Sequence, residues 1–179
     1  RDILRNVQEA LMDPRGHELS VEWQTRFEGE SWQGEGTLQI LGSDYLMLTL
    51  PYQKVLIKKT TVMTWYRKTD QVIIDYFDRD DPSNLFSILL GDFSHFSVHE
   101  SKALSDSITI LRLKAKWLVG FEELELTVNE VTWMPEAITA EAGDGWTVTI
   151  QVLEDLPLKY PENLVNATLE GSGMIDLTE

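Results

Sequence analysis

The sequence contains no cysteine. That removes disulfide staples, a thiolate nucleophile and any cysteine-ligated zinc site, and it leaves the redox compartment open, because oxidising compartments permit disulfides without requiring them. Basic residues are scarce: 15 Lys and Arg stand against 30 Asp and Glu, a formal net charge of −15. Binders of nucleic acid and of anionic lipid surfaces gain their affinity from clustered cations, so nucleic acid is excluded as a partner. No apolar run comes near the length of a membrane-spanning helix, about 20 residues. Neither a Gly-x-Ser-x-Gly elbow nor a phosphate-binding glycine loop occurs. What remains is a chain of 179 residues, 42% of them apolar, which is enough for one globular domain with a real core. It opens on Arg1 rather than Met, as a chain does after loss of a secretory signal or after trimming at another boundary.

The apolar pattern changes period early. Ile3, Leu4, Val7, Ala10 and Leu11 recur at helical spacing, and Pro14 and Gly16 stop them, which predicts one amphipathic helix. From Leu19 the period is two: Leu19, Val21, Trp23 and Phe27 alternate with polar residues, as in a strand with one wet face. Strand-like runs follow at 36–41, 45–50, 54–58, 61–66 and 71–76, then at 94–99, 107–114, 123–129, 132–141 and 146–153. Their breaks are too short for crossover helices, so the strands pair as antiparallel meanders. The meander is interrupted once, by a second short helix expected between Pro82 and Gly91, apolar nearly all round. The tail from Pro157 is less regular, and its Leu164, Val165, Leu169, Met174 and Ile175 are expected to dock on the sheet. About ten strands in one domain curl. The expected fold is therefore mainly β with α, a single strongly curved antiparallel sheet forming an incomplete barrel, with helices covering its concave face.

Candidate chemical sites are few. His95 and His99 have the spacing of a helical metal pair, yet they fall on an alternating strand, where four residues span about 13 Å. They cannot share an ion there. His17, in a turn, suggests no site. The acids Asp75, Asp78, Asp80 and Asp81 lack the glycine and terminal glutamate of a calcium loop and read as charge at a helix start. No acid, base and nucleophile set stands out, so no catalytic residue, metal or cofactor is assigned and the chain is not read as an enzyme. The informative feature is an excess of apolar side chains on strands that should be half buried. In Tyr45-Leu46-Met47-Leu48-Thr49-Leu50 and in Val55-Leu56-Ile57, apolar groups fall on both faces. Either both faces of the sheet are covered, or one of them faces a ligand.

The ordered set Phe27, Gly36-Thr37-Leu38, Pro51-Tyr52-Gln53-Lys54-Val55-Leu56-Ile57, Val62-Met63-Thr64-Trp65-Tyr66, Gln71-Val72-Ile73-Ile74 and Pro82 with the apolar run behind it resembles the LolA family of periplasmic lipoprotein carriers and their LolA-like relatives. The resemblance covers about residues 1 to 100, and it implies that 1–179 forms a single carrier domain. It also implies an open barrel whose concave face receives the acyl chains of a lipoprotein under a helical lid. The chains would be taken from a release complex at the inner membrane and passed to an acceptor at the outer membrane, by a monomer working in the periplasm after removal of its signal peptide. The lipid-binding positions implied are Phe27, Leu38, Leu46, Leu48, Leu50 and Trp65 on the strands, with Leu85, Phe86, Leu89 and Leu90 on the lid. Many members carry an Arg-Pro on the strand before the residue matching Pro51, where an arginine holds the lid closed; here the stretch reads Leu41-Gly42-Ser43-Asp44-Tyr45-Leu46-Met47, without it. A glutamate at Leu48 or Leu89 is expected to abolish lipid binding and leave the fold intact. The alternative reading is a sensor or assembly module of the same fold, which binds a cell-envelope protein segment or lipid without shuttling it.

Overall fold

The computed structural model describes residues 2–81, 84–117 and 120–179. Helix α1 (Ile3–Leu11) leads into the hairpin β1 (His17–Phe27) and β2 (Glu30–Leu41). The two residues of that turn, Glu28 at φ 50° and Gly29 at φ 79°, both sit in the left-handed region, which matches the twist of a tight hairpin. The meander continues through β3 (Tyr45–Thr49), β4 (Gln53–Lys58), β5 (Thr61–Tyr66) and β6 (Gln71–Tyr76). Helix α2 (Leu85–Leu89) follows, then β7 (Phe96–Ala103), β8 (Ile108–Ala115), β9 (Phe121–Asn129), β10 (Pro135–Ala142) and β11 (Thr147–Pro157). A third helix, α3 (Pro161–Val165), and a last strand, β12 (Gly173–Asp176), complete the described elements.

All twelve strands belong to one sheet in the order β12-β6-β5-β4-β3-β2-β1-β11-β10-β9-β8-β7. The pairings are antiparallel except β12, which lies parallel to β6. The sheet does not close, since β12 and β7 remain as edges. It is curved enough that inward side chains from its two halves, Leu46 and Ile57 on one side and Leu111 and Leu124 on the other, share a single apolar cluster with Val7, Leu11, Leu85 and Leu89 of the two covering helices. The expected incomplete barrel with helices over its concave face is what the chain forms.

Strand β10 starts at Pro135 rather than 132 and β11 runs on to Pro157 rather than 153, and four further regions differ from the sequence reading, each for a local reason. Strand β2 begins six residues earlier because the hairpin turn at 28–29 pairs Phe27 with Glu30 and carries polar residues into the ladder. Strand β7 starts at Phe96 and extends to Ala103, with His95 in the preceding turn and a register shift between Val98 and Glu100. Helix α2 is shorter than expected, since Asn84 caps it by accepting from the Phe86 amide at 3.0 Å and Gly91, at φ 88°, ends it; Pro82 lies outside the described residues. In the tail, α3 and β12 are regular elements where the sequence pattern shows no period.

That tail explains the two-faced strands. Leu56 and Val72, with Met47, Met63 and Trp65 beside them, point outward and form a second cluster with Leu158, Leu164 and Leu169 from the segment around α3. Both sides of β3–β6 are thus covered by the chain itself. Leu164 and Leu169 dock as expected and Val165 is half-buried, whereas Met174 and Ile175 on the edge strand β12 are exposed.

Candidate functional site

The concave face is built by parity. On β1 the odd positions Leu19, Val21 and Trp23 point inward, and the antiparallel register sets Leu38 opposite Leu19, Leu48 opposite Leu38 and Val55 opposite Leu48. The same rule puts Val148 and Ile150 of β11, Ile138 and Ala140 of β10, Leu124 and Leu126 of β9 and Leu111 and Leu113 of β8 on this face. Two glycines allow a close approach at its end: a Cβ on Gly36 would lie 2.0 Å from the Thr49 carbonyl oxygen, and one on Gly34 would touch Tyr52 and Pro51. The Pro51-Tyr52 corner therefore rests directly on β2.

The helices fill the trough. Leu85, Ile88, Leu89 and Leu90 are buried, and Phe86 stacks on Trp23 with ring centroids 6.2 Å apart. Val7 and Leu11 of α1 are buried beside them, and Ile3, Leu4 and Ala10 pack at the margin. Among the described residues, polar ties also cross this apolar seal. The Arg79 guanidinium donates to Asp44 at 2.8 Å, the Ser87 hydroxyl donates to the Arg79 carbonyl at 3.2 Å, and the Gln8 amide donates to the Gly91 carbonyl at 3.2 Å. An arginine does fasten the linker ahead of α2 to the start of β3, but from the linker side and half in solvent, where such a pair contributes at most about 1 kcal/mol.

Hollows open at the margins of the seal. One of about 390 Å³ lies between Ile3 and Leu4 of α1 and Val98 and Leu111 of β7 and β8. Another, about 400 Å³, opens at the far end of the barrel between Phe121, Ala142, Trp146 and Val148, with the carboxylates of Glu122 and Asp144 at its edge. A third, about 240 Å³, sits under the joint of the helices at Met12, Leu90 and Gly91, with Ser43, Arg79, Ser87 and Asp92 on its polar side. None of these residues except Leu90 is among the lipid-binding positions expected from the sequence. Their signal, apolar side chains at strand ends and a Trp in a turn, is indistinguishable from ordinary surface until the strands are paired.

The positions implied by the family resemblance separate into four groups. Leu38, Leu46, Leu48 and Leu50 form the floor, and Leu85, Leu89 and Leu90 with half-buried Phe86 form the cover. Phe27 is inward but lies at the end of β1, stacked 4.5 Å from Trp146, which itself stacks with Trp32 at the barrel mouth. Trp65 does not join them: it belongs to the outer cluster, and its indole nitrogen donates to Asp70 at 2.8 Å. The expected harmlessness of Leu48→Glu and Leu89→Glu to the fold also needs correction, because both leucines are at most 2% exposed and a carboxylate there opposes folding itself.

No protein-family model and no curated protein matches the sequence. Solved structures do match in shape. An uncharacterized conserved protein of Thermus thermophilus superposes with a TM-score of 0.62 at 12% identity, covering 97% of this chain and 96% of that one. A LolA superfamily protein from Nitrosomonas europaea gives a TM-score of 0.50 at 10% identity over 92% of this chain and 96% of that one. The fold is LolA-like. A Vibrio parahaemolyticus domain classed with outer membrane lipoprotein-sorting proteins has the same TM-score, 0.50, at 9% identity over 87% and 91% of the two chains. In this LolA-like fold the apolar floor, the two covering helices and the mouth are all present, and identities this low speak to the architecture only.

Proposed function

We propose that the protein is a carrier that takes the acyl chains of a lipoprotein or related lipid into the trough beneath α1 and α2 and passes them on towards the outer membrane, working in the periplasm. The observation that supports this reading most is the make-up of the seal: a broad apolar floor covered by α1 and by the five-residue helix α2, whose buried side chains meet that floor in one apolar cluster. Closure and ligand are then competitors for one surface. Exposing Leu85, Ile88, Leu89 and Leu90 to water costs about 6–12 kcal/mol, while burying a chain of about 16 carbons contributes about 12 kcal/mol before ordering costs. Near balance, the chain can be taken up and released again, which a permanently open trough would not permit.

The test is coexpression with a lipoprotein, purification, and mass spectrometry of what accompanies the protein, alongside titration with an apolar fluorescent dye. The proposal expects acyl ligand in the purified material and dye displaced by palmitate. Absence of both would remove it. A carrier must also lose its ligand to acceptor vesicles; retention of ligand, with changed affinity for a fixed protein partner, is the behaviour of a sensor or assembly module instead.

A further inference from the structure

The first residue of β1, just past the turn from α1, is a histidine whose two ring nitrogens are both committed. His17 Nε2 lies 2.6 Å from the carbonyl oxygen of Ala10, in the last turn of α1, and Nδ1 lies 3.1 Å from Oδ1 of Asp155 on β11. A backbone carbonyl accepts and cannot donate, and an ionised carboxylate is likewise only an acceptor. A neutral imidazole carries one N–H, so it satisfies one of these oxygens and turns a lone pair on the other. Only the imidazolium donates to both at once.

From this bridge we infer that His17 is a pH-sensitive clasp, which in its protonated form ties the C-terminal end of α1 to the rim of the barrel and so keeps the cover of the trough shut. This rests on the reading of α1 and α2 as a cover over an acyl-binding trough. The clasp sits where it can act on both helices. One turn of α1 carries the Ala10 carbonyl, the Gln8 amide bonded to the Gly91 carbonyl, and Met12, whose side chain lies on Gly91 so closely that a Cβ there would come within 2.7 Å of Met12 Cγ. Freeing the end of α1 therefore loosens the stop of α2 as well. The far side of the clasp is closely packed: a Cβ on Gly16, at φ 77°, would lie 2.8 Å from the Ile40 carbonyl oxygen and 3.0 Å from Leu158, and β1 and β11 are paired through this region.

The groups around the ring agree on the direction. Asp155 from β11 and Asp13 from the loop after α1 both favour the charged imidazole, and its neighbours in register, Ile40 on β2 and Pro157 on β11, carry no charge. Burial is the largest single influence and opposes the charge, but the hydrogen bonds to Asp155 and the Ala10 carbonyl together with the charges of Asp155 and Asp13 outweigh it, so the pKa is raised above its ordinary 6.5. A cation near the last carbonyls of a helix is favoured by the helix dipole as well. With the docked form holding its proton more tightly than the released form, closure is strongest below pH 6.5 and weakens as the pH rises through the raised value. Each unit by which docking raises the pKa is a tenfold change in the closed-to-open ratio across that titration.

The absence of cysteine allows spin labels to be placed at Glu9→Cys on the exposed side of α1 and Lys114→Cys on the outside of β8. Distances between them are measured by pulsed electron resonance from about pH 5.5 to about pH 9, around the histidine range, with and without palmitate, while the His17 ring is followed by NMR. The clasp predicts one distance at low pH, a second population growing several-fold with the midpoint of His17, a lower midpoint in Asp155→Asn, and loss of the pH dependence in His17→Gln. A distance distribution that stays fixed while His17 titrates overturns the clasp, as does an unchanged midpoint in Asp155→Asn. Palmitate bound equally at every pH with α1 fixed would remove the clasp and leave the carrier; a pH-dependent α1 with no palmitate bound at any pH would leave the clasp and remove the carrier.

Discussion

Truncating Leu89 to alanine separates a cover from a core. Leu89 is 2% exposed in α2 and Leu38 is fully buried on the floor, in the same cluster, so a purely structural view treats their loss alike. Leu→Ala at such sites costs about 2–5 kcal/mol. At Leu38 this loss falls on the sheet, lowers the unfolding free energy in urea, and removes surface that the ligand would touch. At Leu89 it falls on closure. Taking about 2 kcal/mol from the competitor of the ligand tightens apparent affinity about 30-fold, until the open state dominates and the gain levels off. Paired measurements on each variant, urea unfolding and displacement of an apolar dye by palmitate, read both consequences. The reasoning is refuted if Leu89→Ala weakens palmitate binding in step with its loss of stability, as Leu38→Ala should, because α2 would then be a fixed part of the core.

Other expectations follow from the same geometry. Leu164→Ala and Trp65→Leu should each reduce urea stability, the first by about 2–4 kcal/mol, and leave palmitate affinity unchanged, since both act on the outer cluster. Gly36→Ala should cost about 3 kcal/mol in urea unfolding, because its Cβ would collide with the Thr49 carbonyl and the backbones of β2 and β3 must part. Unfolding free energy should contain a term from His17 that is fully present below pH 6.5 and fades as the pH rises through its raised pKa, and the term should vanish in His17→Gln. Asp13, held at about 2 chiefly by its hydrogen bonds to Arg15, should return towards 3.8 in Arg15→Ala when its carboxyl is titrated by NMR; the pair is exposed, so the effect on stability should be small.

The strands were legible because alternation in an antiparallel sheet records burial directly, and short polar breaks left no room for another topology. Facing was legible only where one parity is apolar. On β3, Leu46 and Leu48 share a parity that pairing confirms as inward. On β5, Val62 sits on one parity and Met63 and Trp65 on the other, so strand position alone could not show that Trp65 points outward; its register opposite Lys54 and Val72 decides it. The tail hid its role for a related reason: Leu158, Leu164 and Leu169 follow no single period, because they belong to a turn, a five-residue helix and a loop that meet only on the outer face. The sequence around His17 reads as a bare turn. Nothing local distinguishes the histidine, since both of its partners, the Ala10 carbonyl and Asp155, are set by tertiary packing.

The most direct measurement is an NMR map of contacts between bound palmitate and the leucine and isoleucine methyl groups. A trough that exchanges its cover for a fatty tail predicts contacts from the acyl methylenes to Leu38, Leu46, Leu48 and Leu50, with the contacts of those methyls to Ile88 and Leu89 lost on binding. Palmitate that touches only exposed side chains such as Val98 or Met174, while Ile88 and Leu89 keep their places against the floor, would show that the hollow is closed for good.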